Sequence, residues 1–86
     1  MKMNGRLYKG PNVLLDVTAE VPDSEGGYQD RLERLLVETC HGLGVPVPMW
    51  LSKNTREYVR FRRTTFNADQ FFERVLFERM EIRVED

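Results

Sequence analysis

The feature that most constrains this chain is a period-two alternation of apolar and polar residues that follows a turn sequence. The turn is residues 9–12, Lys-Gly-Pro-Asn, in which proline fixes one φ and glycine or asparagine accepts a positive φ. The apolar positions after the turn are Val13, Leu15, Val17, Ala19 and Val21. This period is typical of a half-buried strand, whose other face carries Asp16 and Glu20. Residues 1–21 therefore predict a β-hairpin.

A helix is predicted next, from about Glu25 or Tyr28 to Leu43. Its apolar stripe recurs every three or four residues, as a helix packed on one face requires. The stripe consists of Tyr28, Leu32, Leu35, Leu36, Thr39 and Leu43. Gly42 or Gly44 supplies the left-handed residue that ends a helix, and Pro46 prevents continuation.

Residues 45–51, Val-Pro-Val-Pro-Met-Trp-Leu, are expected to be extended because a residue before proline avoids the helical region. A strand is then predicted over residues 58–66. Asn67 and Gln70 have the spacing of a capping box, which predicts a short helix from Ala68 to about Val75 or Leu76. That helix is expected to bury Phe71, Phe72 and Val75. Alternation at Met80, Ile82 and Val84 predicts a last strand.

These elements predict a single α+β domain over residues 1–86, with a small mixed or antiparallel sheet packed on one main helix. The expected order is strand, strand, helix, extended segment, strand, short helix, strand. This order is compatible with a β-grasp arrangement, in which a mixed sheet wraps one helix. It is equally compatible with a plain antiparallel sheet.

The predicted strand 58–66 lies in a segment of unusual charge. Residues 52–66 carry five basic residues and one acid, whereas residues 67–86 carry three basic residues and six acids. Perfect alternation along the strand would bury Arg63 and expose Phe66. A one-residue bulge near residues 62–63 would instead turn Val59, Phe61, Thr64 and Phe66 inward, so we expect an irregularity there.

Two interpretations of the basic segment follow. In the first, its arginines pair across strands with acids that project from the outer face of the sheet, namely Asp16, Glu20, Glu81 and Glu85. In the second, the segment contacts an anionic ligand or single-stranded nucleic acid, because guanidinium groups bind phosphate and aromatic rings stack on bases. The contact residues would be Lys53, Arg56, Tyr58, Arg60 and Arg62. We favour the first interpretation.

The segment 45–51 is the main candidate for a protein contact, since tryptophan and methionine are enriched at interfaces. If this segment only covers the core, Trp50 is buried. If part of it is exposed, Val47, Met49 and Trp50 form a contact patch. A second route to a partner is an edge strand, whose unpaired backbone groups can bind another chain or a second copy.

Composition and motifs limit the alternatives. A net charge of −1 is unusual for a general nucleic-acid binder. The single cysteine, Cys40, excludes an internal disulfide, and neither a signal peptide nor a membrane span is apparent, so we expect a cytoplasmic protein. Cys40 and His41 are consecutive on a helix and do not face each other. No zinc or phosphate-loop spacing is present. We therefore expect a non-enzyme without metal or cofactor.

Three sequence blocks resemble a group of short uncharacterised bacterial proteins without an assigned activity. The blocks are Val47–Thr55 (VPMWLSKNT), Arg60–Phe66 (RFRRTTF) and Phe77–Ile82 (FERMEI). The resemblance spans the chain and implies a stand-alone single domain, but it implies no site residue and no cofactor. The sequence as a whole predicts a small interaction domain that acts through protein contacts or self-association.

Overall fold

The computed structural model describes residues 1–85 and has an α+β fold. Its elements are β1 (Lys2–Lys9), β2 (Asn12–Glu20), α1 (Tyr28–Leu43), α2 (Ser52–Phe61), β3 (Arg63–Asn67), a 3₁₀ turn (Ala68–Gln70) and β4 (Arg79–Glu85). The strands form one sheet in the order β2-β1-β4-β3, and every pair is antiparallel. Of the two sheets that the sequence allowed, the antiparallel one is observed. The β-grasp alternative, which needs a mixed sheet, is wrong.

One face of the sheet is covered by both helices and the other face is open. The buried side chains alternate along the strands, as Met3 and Leu7 do in β1 and Met80 and Ile82 do in β4. The predicted hairpin, first helix and last strand are confirmed. Because strand alternation sorts apolar residues to one side, the core lies between this face and the helices.

Helix α1 approaches the sheet closely because two positions lack a side chain. A Cβ atom at Gly5 would lie 2.4 Å from Thr39 Cγ2, and a Cβ atom at Gly42 would lie 2.8 Å from Val17 Cγ1. The helix ends at Gly44, which has φ of 72° and is the left-handed residue that the sequence predicted. Val45 N donates to Cys40 O and Gly44 N donates to His41 O, which is the Schellman pattern.

The prediction of a strand beginning at residue 58 is wrong, because Ser52–Phe61 forms helix α2. The helix buries Asn54 and Tyr58, one turn apart, and leaves Val59 and Phe61 exposed, which contradicts their predicted inward orientation. The buried face of the helix contains the polar residue Asn54, so the sequence shows no continuous apolar stripe there. The β-branched and aromatic residues that suggested a strand lie on both faces of the helix.

The irregularity expected near residues 62–63 is present, but its form differs from a bulge. Arg62 has φ of 58° and ends α2, with its N–H donating to Tyr58 O at 2.8 Å. The chain reverses there and enters β3, whose Thr64 and Phe66 face the core as predicted. The parity conflict in the sequence therefore marks a helix-to-strand junction.

The short helix predicted after β3 is a single 3₁₀ turn, so its predicted extent to residue 75 or 76 is wrong. Gln70 Oε1 accepts a hydrogen bond from Asn67 N at 3.0 Å, as a capping box requires, but Phe71 is already extended. Phe71 is buried and makes an edge-to-face contact with Phe77 at 5.1 Å, whereas Phe72 is exposed. Because Phe71 and Phe77 are both buried, the chain does not continue as a helix after the 3₁₀ turn.

A charge ladder exists on the open face of the sheet, but its basic partners come from β1. Arg6 lies between Asp16 of β2 and Glu81 of β4, and Arg6 Nε lies 2.7 Å from Asp16 Oδ2. Lys2 lies between Glu20 and Glu85 in the same way, judged from the strand register. The four acids thus project outward as predicted. Their expected pairing with Arg60 and Arg62 is wrong, because Arg60 belongs to α2 and Arg62 to the junction.

Candidate protein-contact surface

Residues 45–51 have one side against the core and one side in solvent. Pro48 is buried and Trp50 is half-buried, whereas Val47, Met49 and Leu51 are exposed. Both alternatives from the sequence are therefore partly realised, since the segment covers the core and also presents apolar side chains outward.

Trp50 anchors this segment to the core. Its ring centroid lies 6.0 Å from that of Tyr58 and 5.7 Å from that of Phe66. Its indole N–H donates to Thr55 Oγ1 at 2.8 Å. A tryptophan with an apolar body in the core and a satisfied N–H fixes the segment in place. The structure therefore assigns Trp50 to support, and leaves Val47 and Met49 as the outward residues of the predicted patch.

A second exposed apolar segment follows the 3₁₀ turn, which is hydrogen-bonded to the first segment. In the loop 71–78, Phe72 is 81% exposed and Leu76 is 86% exposed. The two segments are joined where Met49 N donates to Gln70 O at 2.7 Å and Gln70 Nε2 donates to Met49 O at 3.0 Å. We call Val47, Met49, Leu51, Phe72 and Leu76 the apolar surface. Exposed apolar side chains that form a contiguous patch mark interaction sites of soluble proteins.

The apolar surface rests on a buried hydrogen-bond network centred on Asn54, a side chain with no solvent-exposed area. Asn54 Oδ1 accepts from Leu51 N and from Gln70 Nε2, both at 2.9 Å. Asn54 Nδ2 donates to Thr64 Oγ1 at 2.7 Å and to Thr65 O at 3.0 Å. All four hydrogen-bonding positions of this amide are used. Asn54 thus ties α2, the segment before it, β3 and the 3₁₀ turn together.

The same region closes the outer edge of β3. Thr65 O accepts hydrogen bonds from Lys53 Nζ at 2.6 Å and from Asn54 Nδ2. Glu57 Oε1 accepts from Thr64 Oγ1 at 2.6 Å and from Thr65 N at 3.5 Å. The hydrogen bond from Thr64, followed by the one from Thr65 N and by the charges of Lys53 and Arg56, lowers the pKa of Glu57. Side chains of α2 therefore bind both outward backbone groups of Thr65 at the edge of β3.

Three of the five predicted anion-contact residues are engaged in contacts within the protein. Lys53 binds the edge of β3, as described above. Tyr58 is buried, and its hydroxyl hydrogen-bonds to that of Tyr28. Arg62 lies over the rings of Tyr28 and Tyr58, 5.9 Å and 5.8 Å from their centroids, and donates to both hydroxyls. These contacts join the start of α1 to the end of α2.

The other two predicted residues, Arg56 and Arg60, lie one turn apart on the exposed side of α2. Neither makes an ion pair within 4.0 Å among residues 1–85. The guanidinium carbon of Arg60 lies 5.5 Å from the centroid of the Phe61 ring. The five predicted residues therefore do not form one cluster, because α2 distributes them over different sides.

Cys40 is buried in the core, and this burial raises the pKa of its thiol to about 12. His41 is exposed at the end of α1. Within the described part of the chain, no three histidine, cysteine or carboxylate side chains are grouped so that they could hold a metal ion. Nor does any helix within residues 1–85 have the length and apolar character needed to cross a membrane.

Sequence reasoning identified Val47 and Met49 of the apolar surface and missed Leu51, Phe72 and Leu76. Phe72 was expected in the core, and Leu76 was expected at the end of a helix. The pair Phe71-Phe72 offered a usable signal, because consecutive residues in an extended chain point to opposite sides. Burial of Phe71 in extended backbone therefore requires Phe72 to face outward.

No family model, no curated protein and no solved structure matches this chain. The resemblance to short bacterial proteins carried by the three sequence blocks stays a prediction.

Proposed function

We propose that this protein is a small non-catalytic interaction domain that binds another protein through its apolar surface. The observation that carries the proposal is the exposure of Phe72 and Leu76 in the loop after Gln70, together with the outward residues of segment 45–51, to which Gln70 is hydrogen-bonded. Burying such side chains against a partner is favourable by roughly 25 cal/mol per Å² of apolar area. The partner would offer an apolar segment to residues 45–51, which contain no charged side chain.

The apolar surface is suited to this role because core contacts and hydrogen bonds hold the residues beneath it in place. Trp50 packs on the core, and the Asn54 network ties Leu51 to Gln70, the residue that precedes the loop 71–78. A preorganised surface loses little conformational entropy on binding, and this raises affinity for a given contact area. Exposed Met49 adds an unbranched side chain that adapts to different partner shapes.

Photo-crosslinking tests the proposal. A photoreactive phenylalanine analogue introduced at Phe72 is expected to give a discrete crosslinked product in the native host. The same analogue at Val59, which is 75% exposed on α2, provides the matched control and is expected to give none. The product should disappear in the Leu76→Ser and Met49→Ser variants and persist in Val59→Ser. Equal crosslinking from both positions, or persistence in Leu76→Ser, would overturn the proposal.

A second candidate function is binding of an anionic ligand by Arg56 and Arg60. It is supported by their like charges one turn apart, which destabilise a helix slightly unless they are neutralised. Chemical-shift changes at residues 56 and 60 on addition of a mixed single-stranded oligonucleotide at low salt would support it, if the affinity falls steeply as salt rises. Unchanged shifts at these two positions would remove the candidate.

A further inference from the structure

The two edge strands of the sheet, β2 and β3, differ in whether their outward backbone groups are hydrogen-bonded. At β3, side chains of α2 bind the outward N–H and C=O of Thr65. At β2, the outward groups can be identified from the ladder. Met1 and Val21 exchange both of their backbone hydrogen bonds, so alternation along an antiparallel pair directs Asp16, Thr18 and Glu20 away from β1.

Along its regular part, strand β2 lacks the protection by side chains of a helix that β3 has, and its charged residues are Asp16 and Glu20. No described side chain, loop or helix hydrogen-bonds to the backbone of Asp16, Thr18 or Glu20. The strand contains no proline and no lysine, two residues that commonly prevent an edge from pairing. Its one irregularity is at Leu14, where Leu15 lies opposite Leu7 and Val13 lies opposite Tyr8. Residues 15–20 therefore form a straight, exposed edge.

We propose that this edge pairs with β2 of a second copy, in an antiparallel register centred on Val17. The inference deepens the proposed function as an interaction domain but uses a different surface. In this register Asp16 lies opposite Thr18 of the other copy, Leu15 lies opposite Ala19, and Val17 lies opposite Val17. The two copies would form one continuous eight-stranded sheet.

Charge and geometry select this register from the alternatives. All charged residues of β2 are acidic, and like charges directly opposite each other destabilise a strand pair. A register centred on Thr18 would place Asp16 opposite Glu20 twice, and one centred on Asp16 would place Asp16 opposite itself. A register centred on Leu15 avoids this but runs through the irregularity at Leu14. Centring on Val17 places no acids directly opposite each other and pairs residues 15–19, which lie outside the irregularity.

The helices are compatible with the same arrangement. Helix α1 packs across β1 and β2, and Gly42 lies against Val17. Since adjacent strands are about 4.8 Å apart, the two α1 helices would lie roughly 10 Å apart across the new pair, which is the spacing of packed helices. On the inner face, exposed Leu15 and half-buried Val17 would extend the existing core into the interface.

The oligomeric state of the full chain tests the proposal first. Sedimentation equilibrium over a wide concentration range is expected to show a monomer–dimer equilibrium. Thr18→Pro removes an N–H that faces outward and leaves the β1 ladder intact, so it should give a folded monomer. The matched variant Thr18→Ala keeps that N–H and should dimerise like the parent protein. A monomer at every concentration, or an unaffected dimer in Thr18→Pro, would overturn the proposal.

Disulfide trapping tests the register without a proline substitution. Residues opposite each other in a non-hydrogen-bonded antiparallel pair have Cα atoms about 4.5 Å apart, which a disulfide can bridge. Val17→Cys is therefore expected to oxidise to a covalent dimer, whereas Leu15→Cys should remain reduced. Preferential crosslinking of Leu15→Cys would refute the register. A parent protein that stays monomeric but still gives the crosslinked product from Phe72 would refute this inference and leave the proposed function standing.

Discussion

Asn54→Asp exchanges two hydrogen-bond donors for an acceptor at the centre of the buried network, with almost no change in shape. The parent amide donates to Thr65 O at 3.0 Å and to Thr64 Oγ1 at 2.7 Å. Thr64 already gives its hydroxyl hydrogen to Glu57, so it has none for the new oxygen. The introduced carboxylate would therefore face two oxygen atoms without a hydrogen between them.

The expected loss of stability at pH 8 is large. Each hydrogen bond replaced by an unsatisfied buried contact costs about 1–3 kcal/mol, and burying the charge adds to this. Two such contacts give a loss of about 4 kcal/mol, against a total of about 5–15 kcal/mol for a typical domain. At about 4–8 °C per kcal/mol for a domain of this size, the melting temperature should fall by roughly 15–30 °C.

The pH dependence gives the sharper test. Burial and the facing oxygens raise the folded-state pKa of the introduced carboxyl above its unfolded value of about 3.9. A raised folded pKa means that the penalty is complete at high pH and diminishes as the pH falls through that pKa, when the protonated carboxyl again donates a hydrogen bond. The stability difference between the variant and the parent should therefore shrink from pH 8 to pH 5.

Urea unfolding followed by Trp50 fluorescence measures this difference, because Trp50 packs between α2 and β3. Asn67→Asp is the matched control, since the exposed Asn67 precedes a helical turn, where aspartate is equally favourable. It should change stability by less than about 1 kcal/mol. An Asn54→Asp variant as stable as the parent protein at pH 8, or a difference independent of pH, would refute the assigned hydrogen-bond pattern.

Three further predictions concern the core and the β3 edge. Gly5→Ala should destabilise the domain by about 1–3 kcal/mol in thermal unfolding, because its Cβ would meet Thr39 Cγ2, and Thr39→Ser should restore part of the loss by removing that methyl group. The buried Cys40 thiol, with its pKa raised to about 12, should not react with a thiol reagent at pH 8 until urea unfolds the chain; rapid reaction of the folded protein would contradict its burial. The hydrogen bond from Thr64 is the main cause of the lowered pKa of Glu57. The ionised Glu57 carboxylate therefore stabilises the fold above its unfolded pKa, and this stabilisation is lost as the pH falls through the lower folded pKa. Thr64→Val should raise this pKa in a carboxyl-carbon NMR titration, and an unchanged value would show that the hydroxyl is not the cause.

The parts of the fold that the sequence predicts correctly are those with simple periodicity. Strand β4 alternates apolar and charged residues, and α1 has a continuous apolar stripe that ends at a left-handed glycine. Helix α2 lacks such a pattern, because its most deeply buried residue is Asn54. A buried amide is recognisable only through its partners, and three of the four partners of Asn54 lie 10 to 16 residues further along the chain. Local propensity cannot report them.

The error at α2 has a functional consequence, because the presence of this helix changes which edge of the sheet is available. A strand over residues 58–66 would have presented its arginines on an open face and its backbone at an open edge. The helix instead turns Lys53, Asn54 and Glu57 toward Thr65 and occupies the backbone of β3 there. Edge strands need protection against unwanted pairing, and this chain provides it on one side through side chains of a helix. The regular part of β2 has no comparable protection among the described residues, and its acids restrict pairing by register rather than preventing it. This asymmetry leads us to place self-association at β2, separate from the apolar surface beyond the end of α1.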